Sequence, residues 1–170
     1  MDDRFFALRD PNVLGAAPSN FPTISNTDLF DVSSNLVDDT NIADLEAKEG
    51  WYITLRPGKG EKVLGPSMTI DGVISFTTYT PAESAPTGTC VQPGVGRIYH
   101  VNLFNGNPTI DQNGDGSFTE SDRDDDLDRP GIPPPPVPVF SDREIFECVG
   151  TECFPIEDGI KIESTYWRDS

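Results

Sequence analysis

Apolar residues in this chain come in short runs broken by glycine, proline and acidic turns, which reads as strands and loops rather than long helices. Phe5-Phe6-Ala7-Leu8, opened by Asp3-Arg4, parallels Ile98-Tyr99-His100-Val101, opened by Gly96-Arg97. Gly50-Trp51-Tyr52-Ile53-Thr54-Leu55 is a strand closed by Pro57-Gly58. A longer unit also recurs. Pro66 to Phe76 reverses at Asp71-Gly72, and Pro136 to Phe146 reverses at Ser141-Asp142. In each, a proline opens a strand, an acidic turn reverses it, and a second apolar strand returns. Asp71-Gly72 between alternating residues is a strong two-residue hairpin signal. Gly159 to Trp167 alternates cleanly and predicts a last strand. Repeated antiparallel units predict an all-β array such as propeller blades.

Two stretches break the pattern. Residues 10–48 are rich in Asn, Asp and Ser and read as an insertion. Ser25-Asn-Thr-Asp28-Leu-Phe-Asp-Val32 has a capping residue ahead of apolar spacing and predicts a short helix, and Asp39 to Lys48 predicts a second helical turn. Thr80 to Gly96 is a long loop bearing Pro, Gly and Cys90.

The most specific chemistry lies in residues 111–122, Asp111-Gln-Asn113-Gly-Asp115-Gly116-Ser117-Phe-Thr119-Glu-Ser-Asp122. Asp111, Asn113, Asp115, Thr119 and Asp122 stand at positions 1, 3, 5, 9 and 12 of an EF-hand-type calcium loop, an order that favours calcium over the alternative of a plain solvated acidic loop. Ser117, at position 7, offers its backbone carbonyl, and Gly116 fills position 6, where the chain turns sharply. Calcium takes six to eight oxygens, and alternate residues of a tight loop can all point inward at it. Asp122 replaces the usual glutamate and reaches less easily in bidentate fashion, so a weaker or rearranged site is expected. Asn105-Gly-Asn-Pro108 before the loop and the prolines from Pro130 to Pro138 after it exclude long flanking helices. Asp124-Asp125-Asp126-Leu-Asp128 reads as a solvated acidic run, with a replacement ligand or a second ion as alternatives.

Composition narrows the partners. The 170 residues suffice for one domain with a modest core. A net charge of −17 argues against nucleic acid, which needs basic surface to displace counterions, and against anionic membranes. Hydrophobic content is 35%, low for a compact domain, and 16 Pro with 15 Gly favour strands and loops. No apolar run approaches the ~20 residues needed to span a bilayer, so no membrane insertion is expected. Met1-Asp-Asp-Arg4 is charged and Arg9-Asp10 soon follows, so no signal peptide is read; the chain is either cytosolic or a processed piece of something larger. Cys148 and Cys153 would face each other across a four-residue hairpin loop, which favours a disulfide over a reduced pair or a metal site. Cys90 is then left over, as in an exported chain whose partner cysteine lies elsewhere.

Longer words carry a family resemblance. Gly65 to Thr77, followed by Gly96-Arg97-Ile98-Tyr99-His100-Val101-Asn102, looks like a blade of a quinoprotein-type β-propeller. Gly50-Trp51-Tyr52-Ile53, Gly60-Glu61-Lys62-Val63, Phe76-Thr77-Thr78-Tyr79-Thr80-Pro81, Cys90 and Gly96 to Tyr99 resemble the C-terminal propeller of the PilY family. So do Gly131-Ile132-Pro133-Pro134 through Pro138, Val149-Gly150-Thr151 and Tyr166-Trp167-Arg168. These are type IV pilus tip-associated proteins. The resemblance covers most of residues 50–170 and Asp3 to Leu8, and leaves residues 10–48 uncovered. It implies a partial propeller: a strand of a preceding blade in 1–9, an insertion in 10–48, a blade-like unit in 49–104, a calcium loop in 105–130 and C-terminal strands in 131–170. It also implies export through the periplasm to the cell surface or pilus tip. The partners it implies are minor pilus subunits or the rest of a parent protein, with a host or surface ligand beyond them. Calcium in the propeller loop would modulate pilus extension and retraction, with Asp111, Asn113, Asp115 and the Ser117 carbonyl as matching ligands. The family loop can close with an acidic residue at position 9, where this chain carries Thr119. Closure then falls to Asp122 or a neighbour.

Three functions compete. The first is a non-catalytic calcium-dependent adhesin module. The second is a calcium-independent scaffold that pairs with another subunit. The third is a quinoprotein-type enzyme fragment, which the residues disfavour. No two cysteines are adjacent, and Pro57-Gly-Lys-Gly60 lacks P-loop spacing. The single histidine, His100, sits inside a strand as a packed side chain, so no Ser-His-Asp set is readable. Trp51 and Trp167 read as core rather than contact residues.

Overall fold

The computed structural model describes residues 2–11, 13–15, 23–82, 93–141 and 145–156. The chain is mostly β-sheet. Its elements run β1 (Arg4–Leu8), β2 (Phe30–Asp31), α1 (Ile42–Glu46), β3 (Gly50–Thr54), β4 (Lys62–Val63), β5 (Met68–Ile70), β6 (Val73–Thr80), β7 (Val95–Asn102), β8 (Asp124–Asp126), β9 (Val137–Phe140), β10 (Ile145–Val149) and β11 (Glu152–Pro155). They form three small sheets, ordered β1-β3-β2, β4-β6-β7-β8 with β5 also on β6, and β11-β10-β9.

Strand alternation explains how these sheets stack. Successive side chains of a strand point to opposite faces. Ile74 and Phe76 of β6 lie opposite Val101 and Tyr99 of β7 and share one face of the central sheet. That face joins Trp51, Ile53 and Leu55 and the insertion's Val32, Val37 and Leu45 in the larger core cluster. Phe5, Phe76 and Tyr99 stack in sequence there, with ring centroids 3.9 and 4.7 Å apart. The other face presents Ser75, Thr77, Ile98 and His100. Ile98 packs with Leu127, Val149 and Phe154 in a second cluster. The central sheet is therefore covered on both sides, by the β1-β3-β2 sheet on one and the C-terminal sheet on the other.

Several expectations hold and several shift. The Asp71-Gly72 hairpin forms, with φ of 49° and 79° at the two turn residues. Cys148 and Cys153 are directly opposed and disulfide-bonded, but Val149 pairs with Glu152, so the turn is tighter than a four-residue loop. The helix expected over Ser25 to Val32 is one 3-10 turn, Asn26–Asp28, after which Phe30 and Asp31 join β3 as a parallel strand. Propensity gives way there to burial of Val32 at 0% exposure. Residues 30–46 are thus built into the core rather than appended to it. β3 belongs with β1 and β2 rather than with the β4–β8 sheet. The strand expected at Gly159 to Trp167, with Trp167 and Cys90, lies outside the described residues.

Candidate functional site

The candidate calcium loop hangs from the end of β7. Pro108 bridges back to Val101, and the chain returns through a 3-10 turn, Glu120–Arg123, into β8, which pairs with β7. Asp111 accepts the Gly114 N–H on Oδ1 and the Gly116 N–H on Oδ2, each at 2.8 Å. Asn113 Oδ1 accepts the Asp115 N–H, and Asp115 Oδ1 accepts the Ser117 N–H, each also at 2.8 Å. These short-range bonds are what Asn and Asp side chains do in turns, and they coil the loop. Gly114 and Gly116 take φ of 68° and 83°, the left-handed region that glycine enters without a Cβ penalty.

Asp122 closes the loop. Its carboxylate accepts the Thr119 N–H at 2.7 Å and the Thr119 hydroxyl at 2.8 Å. Those two bonds hold the carboxyl below the usual carboxylate range, against a smaller opposing push from burial, and the N–H groups of Asn113 and Gln112 add to the lowering. Position 12 is therefore tied to position 9, while Ser117 and Asp115 stay exposed. Asp111, Asn113, Asp115 and Asp122 each keep oxygen lone pairs beyond those bonds, and Thr119 and the Ser117 carbonyl add neutral oxygens. The donor set is all oxygen, which fits calcium rather than zinc. Among the described residues no group of three or more His, Cys, Asp or Glu side chains is gathered closely enough to hold a metal ion. Binding would require the carboxylates to swing inward from their N–H partners.

The acidic run after the loop is not simply solvated. Asp124 is bound by the Arg56 guanidinium and lies 3.5 Å from Arg97 Nε, which ion-pairs with Asp126 at 2.6 Å. Behind them the buried Glu61 carboxylate accepts the Thr78 and Tyr99 hydroxyls. Burial, then the charges of Asp124 and Glu61, push the Tyr99 hydroxyl above its ordinary range. This network fixes β8 against the central sheet, so Asp124 is spent on arginine and is no spare ligand.

Sequence reasoning did not single out Arg123. It is 2% exposed and donates from Nε to the Gly106 carbonyl at 2.8 Å, and from its terminal nitrogens to the Ser33 and Asn35 carbonyls at 3.2 and 2.9 Å. Asn107, at the other stem of the loop, donates to the Val37 carbonyl and accepts the Val37 N–H. Both stems are thus tied to residues 33–37. The signal was a lone basic residue embedded in an acidic run.

Two other features stand apart. Glu147, fully buried between the central and C-terminal sheets, accepts the Ser75 hydroxyl at 2.6 Å and lies 3.3 Å from His100 Nε2. His100 is 2% exposed, which agrees with a packed side chain and gives no open cleft for a base. An apolar groove of about 410 Å³ is lined by Leu8, Ile42, Leu45, Trp51, Leu103 and Phe104, among others.

Comparison with known proteins finds no matching family model, no matching curated protein and no matching solved structure. No helix among the described residues is long and apolar enough to cross a membrane.

Proposed function

We propose that this chain is a non-catalytic calcium-binding module of a PilY-like surface or pilus-tip protein, with Asp111, Asn113, Asp115, the Ser117 carbonyl, Thr119 and Asp122 as the ligand set. The observation that carries the calcium reading is the coiling of the loop, in which Asp111 accepts the Gly114 and Gly116 N–H groups and Asp122 accepts that of Thr119. Bound calcium would replace those N–H partners, offset the repulsion among three carboxylates and order the loop. Three face-to-face small sheets are compatible with stacked propeller blades, which is the support for the partial-propeller reading. Export, the pilus tip and its minor subunits rest on the resemblance in the sequence.

The test is calorimetric titration of calcium into chelator-treated protein, beside Asp115→Ala and Asp122→Ala. One-site binding, lost in Asp115→Ala and weakened in Asp122→Ala, is the expected result. No binding into the millimolar range sinks the calcium reading. A second reading, a calcium-independent scaffold, is favoured by β9, an edge strand among the described residues, whose Val137, Val139 and Phe140 are 52%, 46% and 61% exposed. Such an edge can take up a strand from a partner. Association that survives a chelator would select it.

A further inference from the structure

We propose that Asn113 is a self-modifying residue, whose side-chain amide is converted to carboxylate by attack of the next backbone nitrogen, with Asp111 as the proton acceptor. The chain has two Asn-Gly pairs in its described part, Asn105-Gly106 and Asn113-Gly114, and the fold treats them in opposite ways.

At Asn113-Gly114 both reacting groups are already polarised. The Gly114 N–H points at the Asp111 carboxylate, 2.8 Å away, so the nitrogen that must lose a proton donates to a base. The Asn113 side-chain carbonyl accepts the Asp115 N–H at 2.8 Å, which withdraws electrons from its carbon and stabilises the oxyanion of the tetrahedral intermediate. That same bond folds the side chain back over the peptide bond that follows it. Both residues are exposed, so solvent reaches the reacting amide.

The chemistry balances without a cofactor. The Gly114 nitrogen bonds to the Asn113 side-chain carbon as its proton passes to Asp111. The bond from that carbon to Nδ2 then breaks, and the amide leaves as ammonia after taking a proton back. Solvent water opens the cyclic imide at one carbonyl or the other, leaving aspartate or isoaspartate.

At Asn105-Gly106 the same sequence is locked. The Gly106 N–H donates to the Asn102 carbonyl at 2.8 Å, a neutral acceptor rather than a base. The Asn105 side chain accepts the Asn107 N–H, but Gly106 is buried, and a Cβ there would stand 2.9 Å from Val32 and 3.1 Å from the Trp51 ring. The peptide that would have to react there is shielded from solvent. The inference does not rest on the calcium reading, although it falls on the third position of that loop and would add a negative charge there.

The experiment is incubation of the whole chain, in chelator, at mildly alkaline pH, with peptide mapping by mass spectrometry over time. The amide-to-acid mass gain is followed at Asn113 and Asn105 in one sample, for the wild type and for Asp111→Asn. Asn113 is expected to convert several-fold faster than Asn105, and several-fold more slowly in Asp111→Asn than in the wild type. Equal rates at the two asparagines overturn the proposal. An Asn113 rate unchanged by Asp111→Asn also overturns it, leaving ordinary surface deamidation. The Asn105 rate reports unfolding: if the substitution loosened the chain, Asn105 would accelerate, and Asp111→Glu, which keeps a carboxylate, must then restore Asn113 conversion with Asn105 slow, or the proposal fails.

Discussion

Gly106 and Gly114 share a φ of 68° but not their surroundings, and alanine at each separates backbone strain from packing. Either substitution places a Cβ in the left-handed region, which costs about 1–2 kcal/mol. At Gly114 nothing lies within 4 Å of the new atom, so that is the whole expected loss. At Gly106 the Cβ would stand 2.9 Å from Val32 Cγ2 and 3.1 and 3.2 Å from two carbons of the Trp51 ring. Val32 and Trp51 are 0% and 1% exposed and have no free space to yield into. Overpacking of this kind costs about 1–3 kcal/mol more, so Gly106→Ala should lose about 2–5 kcal/mol in total. Moving Gly106 would also shift the carbonyl that accepts Arg123 Nε. Chemical denaturation of both variants beside the wild type reads the difference directly. Equal losses at the two sites would refute the packing argument and place residues 103–107 outside the core.

Three further outcomes follow from the same contacts. The Asp122 carboxyl is held low in the folded chain, so it stabilises the fold above the ordinary carboxylate range and that contribution is lost as pH falls through its depressed value. Thr119→Val removes the hydroxyl donor, and the acid transition followed by circular dichroism should move to higher pH; an unchanged transition would show that the hydroxyl bond does not set it. Ser75→Ala leaves buried Glu147 short of its hydroxyl partner, and a loss of about 1–3 kcal/mol in denaturant unfolding is expected. Replacing Cys148 and Cys153 together by serine removes a short closed loop, so the midpoint should fall by the equivalent of about 2 kcal/mol, and a reductant should lower the wild type but not the variant.

The sequence was most legible where one local rule decided the outcome. Asp71-Gly72 specified its own turn, the alternation of Gly50 to Leu55 and of Ile98 to Val101 marked strands, and the spacing of Cys148 and Cys153 marked a pair across a hairpin. It was least legible where distant partners decided. Phe30 and Asp31 have helical neighbours in sequence but a ready edge on β3, and that edge wins because it carries Val32 into the core. Nothing local told β3 to pair with β1 and β2 rather than join the β4–β8 sheet. In the candidate site, the order of oxygens was readable because a loop of this kind is folded by bonds between near neighbours. The use of Asp124 by Arg56 and Arg97, and of Arg123 by three carbonyls, was not, since each joins segments far apart in the chain.

The buried Arg123 has a bearing on how the chain comes to be folded at all. Its hydrogen bonds to Ser33 and Asn35 span 90 and 88 residues, and Ser75 reaches Glu147 across 72. Contacts of such separation form late, because loop-closure entropy must be met before they return anything. The β6–β7 hairpin is local by comparison and can form early. For an interval both its faces stand open, the apolar one awaiting the N-terminal sheet and the one bearing Ile98 the C-terminal sheet. A chain stopped short of Arg123 would lack the guanidinium that ties residues 33–35 down and the hairpin that covers Ile98. Slow refolding, and a tendency of shortened chains to aggregate through the bare faces of that hairpin, are built into the order in which these contacts occur along the chain.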